Sequence, residues 1–299
     1  MFAGAFALGL AACTSGAAPD LQLAGLVTDP ALDEISGLAA SRRDDGVLWA
    51  LDDSGNPARL YALSRRGSRL GTFDVEGVEK RDWEDLASFE LDGKPYLLVA
   101  DTGDNGGIRR LMQLHVFEEP ADAAGSGRLR PAWSIEFRWP DGARDCEAVA
   151  VDVERNEILL FSKKRQPPQV FVLPLRPRPP GTGPRVETAA LAGTLAGVPQ
   201  ADARERRENP AMARLRSQVT AADIAPQRDA VAVLTYDNLL IYRRQAAQSW
   251  PQALASPPQV VRLRFLPQAE AVAWSQVGGG IFATGEFNPA PIMYLPYAR

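Results

Sequence analysis

Five times along the chain an acidic residue opens a short apolar run that is followed, after a turn, by a second apolar run. Repeats at this spacing constrain a fold more than any other sequence signal, because each unit is too small to bury its own faces and must stack on its neighbours. The units begin Glu34-Ile35-Ser36-Gly37-Leu38, Glu84-Asp85-Leu86-Ala87, Glu147-Ala148-Val149-Ala150, Asp223-Ile224-Ala225 and Glu270-Ala271-Val272-Ala273. Their second runs are Val47–Leu51, Tyr96–Ala100, Ile158–Phe161, Ala230–Leu234 and Ile281–Thr284. Both runs are apolar almost throughout, as strands buried on both faces read. Outer strands follow: Arg59–Leu63, Leu114–Phe117, Gln169–Leu173 and Leu239–Tyr242, then Gly71–Val75, Trp133–Phe137 and Val260–Leu263. Four strands per unit predict an all-β fold, a single β-propeller of about five four-stranded blades. Six blades are the open alternative, although no stretch of the sequence reads as the sixth. The fifth unit stops at Pro291–Leu295, one strand short, and Leu21–Leu26 is expected to supply that strand and close the ring. A pair of β-sandwiches is the competing arrangement; no long amphipathic helical run supports an α/β fold.

The propeller is expected over residues 21–299, with an inserted polar, Arg-rich loop near 199–218. Residues 1–12 are almost wholly apolar and small, and Leu10-Ala11-Ala12-Cys13 resembles a lipobox, with Cys13 as the lipidated residue and 13–20 as a linker. A positive segment should precede such a run, yet the first basic residue is Arg42, so the translation start is expected upstream. Thr14 is not the Asp that holds lipoproteins at an inner membrane. The expectation is an exported protein, lipid-anchored to the cell envelope, on the periplasmic face of the outer membrane in a Gram-negative host, and monomeric. The net charge of −4 argues against a nucleic-acid partner.

Asp82-Trp83-Glu84-Asp85-Leu86-Ala87, Asp101-Thr102-Gly103-Asp104-Asn105, Asp145-Cys146-Glu147-Ala148, Thr220-Ala221-Ala222-Asp223-Ile224 and Glu270-Ala271-Val272-Ala273-Trp274 resemble a family of bacterial exported or lipid-anchored propellers, similar to the esterase-like propellers of the phytase type. Ala225-Pro226-Gln227-Arg228 departs from the Ser-Pro-Asp-Gly turn usual there. The resemblance implies a propeller and an envelope address, and no settled activity.

In a propeller the first strands line the central channel. Glu34, Glu84, Glu147, Asp223 and Glu270 are therefore expected near one end of it, where five carboxylates repel unless a cation, protons or basic groups join them. Calcium or another divalent cation, bound through oxygen, is one answer; turn capping by the same acids is the other. Asp52, Asp53, Asp101, Asp104, Asn105 and Glu286 follow second strands and should share that rim with Arg81, Arg109, Arg144, Lys163, Lys164 and Arg165. Lys163 and Lys164 stand where Asp52 and Asp101 stand in the first two units. The basic groups either orient an anionic ligand or neutralise the acids. Asp101–Met112 lacks the bidentate Glu of an EF-hand. His115, the only histidine, is expected on a strand surface, which leaves no Ser-His-Asp or Cys-His site. Cys146 is expected as a buried thiol, and Trp49, Trp83 and Trp274 as packing between blades.

Two functions remain open on the sequence. One is a scaffold that presents a cation-bearing channel mouth to an anionic small molecule or an envelope protein. The other is a calcium-dependent hydrolase of phosphate or related anionic esters.

Overall fold

The computed structural model describes residues 21–53, 55–177, 181, 185–266 and 268–297. The lipobox segment 1–12, Cys13 and the linker to residue 20 lie outside the described residues.

The strands run β1 (Gln22–Val27), β2 (Ile35–Ala40), β3 (Val47–Asp52), β4 (Arg59–Ser64), β5 (Arg69–Val75), β6 (Trp83–Leu91), β7 (Lys94–Asp101), β8 (Met112–Glu118), β9 (Gly125–Leu129), β10 (Trp133–Arg138), β11 (Cys146–Asp152), β12 (Glu157–Ser162), β13 (Gln169–Pro174), β14 (Glu187–Thr188) and β15 (Ala190–Thr194). After two short helices, α1 (Ala203–Glu208) and α2 (Pro210–Leu215), come β16 (Val219–Ile224), β17 (Ala230–Thr235), β18 (Asn238–Arg243), α3 (Trp250–Leu254), β19 (Gln259–Arg262), β20 (Ala269–Trp274), β21 (Gly280–Gly285) and β22 (Ala290–Pro296).

These strands form five sheets, each a propeller blade: β2-β3-β4-β5, β6-β7-β8-β10, β11-β12-β13-β15, β16-β17-β18-β19 and β20-β21-β22-β1. The first strands β2, β6, β11, β16 and β20 pack side by side in that order, and β20 packs on β2, so the ring is closed. Strand β1 completes the fifth blade by pairing antiparallel with β22, from Gln22↔Tyr294 to Val27↔Ala290. The first chain segment thus covers the edge that the last would expose. Two blades carry an additional parallel strand at the rim, β9 on β5 and β14 on β10.

First and second strands of every blade are buried residue by residue, apart from the ends of β6, β7 and β12. Their continuous apolar runs follow from that, since a blade is covered on both faces by its neighbours. The core is accordingly divided into five clusters, each between two adjacent blades. Trp49 and Trp83 fill the space between the first two blades, and Trp274 that between the last two. His115 differs from expectation: it is buried, with Nδ1 2.8 Å from Ser134 Oγ, because the third strand of its blade is also covered on both sides. Cys146 is a buried thiol whose pKa burial pushes up, so it carries no thiolate.

Candidate functional site

Each first strand breaks register with its second strand once, at the same height: between Ile35 and Gly37, Trp83 and Asp85, Cys146 and Ala148, Val219 and Ala221, and Ala269 and Ala271. A bulge leaves one residue unpaired and re-aims its side chain. The five bulged residues are Ser36, Glu84, Glu147, Thr220 and Glu270. Three of the five expected channel acids therefore occupy equivalent positions, and two do not.

Glu34 lies two residues before the bulge of its strand. Its counterparts are Asp82, Asp145, Gln218 and Gln268. Its exposed carboxylate accepts a hydrogen bond from Asn56 Nδ2 at 3.1 Å and does not line the cavity described below. Asp223 lies three residues after the bulge, roughly 10 Å farther along the strand. It is buried and accepts the Trp274 N–H at 2.8 Å, fastening the fourth blade to the fifth. Both departures have one cause: the expected frame followed the acids, whereas the bulges follow the apolar pattern.

A further ring comes from residues leaving the second strands. The N–H groups of Asp53, Gly103, Lys163 and Glu286 donate to the carbonyls of Glu34, Asp82, Asp145 and Gln268, at 2.9, 3.2, 3.2 and 3.1 Å. Tyr236 follows the second strand of the fourth blade in the same way. Lys163 is thus the counterpart of Asp53, one position beyond Asp52. A Cβ at Gly103 would collide with the carboxylates of Glu84 and Asp82 and push them aside, so glycine here lets both approach the ring.

Asp53, Lys163, Tyr236 and Glu286 join Ser36, Glu84, Glu147 and Glu270 around one cavity of about 270 Å³, completed by Asn105, Lys164, Leu215 and Gln218. The last two come from the end of α2 and the segment after it, so the insertion walls one side of the mouth. Carboxylate oxygens of Glu84, Asp145 and Glu147 lie within 4.8 Å of one another, as do those of Asp53, Asp82 and Glu84. Glu84 belongs to both groups.

The ammonium of Lys163 forms an ion pair with Glu147 and lies 5.2 Å from the Tyr236 ring centroid. Burial opposes its charge, but Glu147, Glu270 and Tyr236 outweigh burial and raise its pKa. Burial pushes Glu84 well up, and Glu147, Asp53 and Asp82 add to it. Burial likewise raises Glu147 against the pull of Lys163. Glu270 is pushed up to about 8 by burial; Lys163 and a hydrogen bond from Tyr236 oppose this, and Glu286 and Asp53 add to it. Glu147 is 2% exposed and its Oε2 has no hydrogen-bond partner among the described residues. Such a site holds protons in excess of its ordinary complement or takes a cation in their place.

The remaining expected site residues divide into those at the mouth and those that build it. Asn105, Lys163, Lys164 and Glu286 line the cavity. Asp101 is fully buried, accepting from Arg81 N–H at 2.9 Å and pairing with Arg109 at 2.7 Å. Asp104 accepts the N–H groups of Ile108 and Arg109 at 2.9 and 3.0 Å, the turn-capping role. The exposed Arg81 side chain pairs with Glu79, away from the cavity. Arg144 is held between Trp139 and Phe171, its carbon Cζ 5.2 and 4.4 Å from their ring centroids, and bonds Gln169 and Asp141. Asp52 is buried beside Lys80, and burial pushes it up to about 7.

Sequence reasoning missed Ser36, Thr220, Asp82, Asp145 and Tyr236. The signal was present in the aligned frames Ile35-Ser36-Gly37-Leu38-Ala39, Trp83-Glu84-Asp85-Leu86-Ala87, Cys146-Glu147-Ala148-Val149-Ala150, Val219-Thr220-Ala221-Ala222-Asp223 and Ala269-Glu270-Ala271-Val272-Ala273. Their second position is polar every time. Ser36 Oγ donates to Trp83 O at 2.9 Å and Thr220 Oγ1 to Ala269 O at 2.7 Å, each the residue just before the next blade's bulge. Thr102 Oγ1 does the same to Cys146 O at 2.7 Å.

No family model matches the chain, and no curated protein matches it in sequence. The five-bladed arrangement therefore stands on the structure alone.

Proposed function

We propose that the mouth of the channel binds a hard divalent cation, calcium being the expected one, and presents it to an anionic ligand. The carrying observation is the buried Glu147 Oε2, which lacks a hydrogen-bond partner among the described residues and lies in a group of three carboxylates whose oxygens lie within 4.8 Å of one another. Glu84, Glu147 and Asp145 are the leading ligands, with Asp53 and Asp82 reaching the ion from the other side of Glu84. A flexible all-oxygen set of this kind suits calcium better than ions that demand fixed geometry. The reading places the protein as a scaffold at the cell envelope, held by lipid on Cys13 and of the exported phytase-like type; the lipobox and the motif resemblance support that part.

The test uses chelator-stripped protein. Binding to the folded state at a hundredfold excess over Kd should stabilise it by about 2.7 kcal/mol, read as a rise in Tm on adding calcium. Glu147→Gln should abolish the rise. Unchanged melting of the wild-type protein at millimolar calcium would remove the cation.

A hydrolase reading is favoured by one feature, the shared cavity in which Asp53, Glu84 and Glu147 of the two carboxylate groups meet Asn105 and Lys164. A cation there would polarise a phosphate ester and lower the pKa of an attacking water. Glu270, pushed up to about 8, can take up a proton near neutral pH. Phosphoester hydrolysis lost with EGTA and with Glu147→Gln would support it; activity that survives both would dismiss this mechanism.

A further inference from the structure

The two lysines of the mouth are not equivalent. Lys163 is buried and committed to Glu147. The Lys164 side chain is 44% exposed, and its ammonium makes three contacts: Asp145 Oδ2 at 2.8 Å, Asn105 Oδ1 at 2.9 Å and Asn105 O at 3.1 Å. The two contacts with Asn105 are hydrogen bonds, whereas that with Asp145 Oδ2 is an ion pair that leaves this buried oxygen without a hydrogen-bond partner among the described residues. Lys164 and Asn105 also border a second cavity of about 220 Å³, whose wall includes Arg144, Arg165 and the backbone of Gly106 and Gly107. Lys164 thus stands between an acidic cavity and a more basic one.

Its partner Asp145 is one of the three carboxylates gathered around Glu84 and Glu147. The Oδ1 atom of Asp145 is occupied by the Asp104 N–H at 2.8 Å, so Oδ2 is the oxygen that both Lys164 and an ion can use. A divalent ion competes with the half-exposed ammonium for the buried carboxylate at an advantage, since it carries twice the charge. Asn105 would keep the displaced ammonium at the rim, with its charge no longer paired to Asp145 and free to face the mouth. Before the ion enters, the surplus of carboxylates repels anions; the ion's two positive charges reduce that surplus and set a cation beside the released ammonium.

We propose that cation binding releases Lys164 from Asp145 and turns it into the anion-holding group of the mouth, so that a phosphate-type oxyanion binds after the metal and to the metal-loaded state. This rests on the cation reading above. It also separates the lysines by role: Lys163 is the internal counter-ion and Lys164 the ligand-binding one. The coupling is reciprocal, so the oxyanion must tighten the metal by the factor by which the metal tightens the oxyanion.

Calorimetric titrations of calcium, with and without millimolar phenyl phosphate, test this on the wild type and on Lys164→Gln, with Tm confirming that the variant is folded. In the wild type, phenyl phosphate should tighten calcium about tenfold, within the usual range of coupling between sites. Lys164→Gln should bind calcium alone at least as tightly as the wild type, because a competitor for Asp145 is gone, and should show no effect of phenyl phosphate. Calcium binding that phenyl phosphate leaves unchanged in the wild type overturns the proposal while sparing the cation. Equal coupling in Lys164→Gln overturns the role of this lysine. A wild type that binds no calcium at all overturns the cation reading and this one with it.

Discussion

Asp223 offers the sharpest separation between an acid that builds the propeller and one that serves its mouth. It is buried on the fourth blade, accepts the Trp274 N–H at 2.8 Å, and is pushed by burial from 3.8 up to about 6, with Arg42 opposing. A shift of about two units corresponds to roughly 3 kcal/mol. The native pKa lies above the unfolded one, so the folded protein holds the proton more tightly between about pH 4 and 6. The associated stability is complete below that window and is lost as pH rises through it. Asp223→Asn keeps an oxygen for the Trp274 N–H and cannot ionise, so it should lose nothing. Urea unfolding in EDTA, run on both proteins at pH 4 and at pH 8, should show the variant gaining roughly 3 kcal/mol on the wild type across the interval. Asp52 and Glu270, raised to about 7 and about 8, titrate in both proteins and cancel from the difference. Calcium affinity should stay within about twofold, since Asp223 borders neither carboxylate group. Parallel pH profiles, or a calcium defect like that of Glu147→Gln, would refute the assignment.

Three further outcomes follow from the same geometry. Gly103→Ala drives a Cβ into the Glu84 and Asp82 carboxylates and should weaken calcium at least tenfold by calorimetry, with the secondary structure intact by circular dichroism. Asp85→Ala removes the acceptor for the N–H groups of Leu86, Val149 and Ala222, at 2.8, 2.8 and 3.3 Å, which belong to three different blades. Left buried without partners, those groups should cost about 3 kcal/mol or more in urea unfolding. Deleting residues 21–27 strips β1 from β22 and leaves Ala290–Pro296 as an open edge, so light scattering should report association that the intact ring does not show.

The strands were legible because a blade buries both faces of its inner strands, which writes continuous apolar runs such as Ala230–Thr235 into the sequence. The closing strand was legible because the fifth unit was one strand short. The rim strands β9 and β14 were not: Gly125–Leu129 and the two residues Glu187–Thr188 pair along one edge and bury little, so no periodic signal marks them. His115 was expected on a surface because its neighbours alternate, yet the flanking blades cover both sides of β8. The mouth was legible in part. Glu84, Glu147 and Glu270 share a frame that apolar residues define, while Glu34 and Asp223 are acids near that frame but outside it. A bulge inserts one residue into a period of two, so counting from an acid instead of from the apolar residues shifts the frame.

The misread positions explain why the ring is not made of five acids. A bulge aims a side chain at the mouth, and five carboxylates there would repel at close range with too few counter-charges. At Ser36 and Thr220 the chain instead places hydroxyls, which donate at 2.9 and 2.7 Å to the carbonyl ahead of the next blade's bulge, Trp83 O and Ala269 O. In the remaining blade-to-blade step toward Glu147, Thr102 supplies that bond to Cys146 O. Each glutamate of the ring is therefore preceded by a carbonyl that an adjacent blade holds in place. The hydroxyls do more than dilute charge: they set the backbone from which Glu84, Glu147 and Glu270 project, so that the carboxylates converge without relying on their own attraction to an ion. A site built this way is formed before its ligand arrives, and its repulsion, held in check by Lys163 and by raised proton affinity, is what favours a cation once one is present.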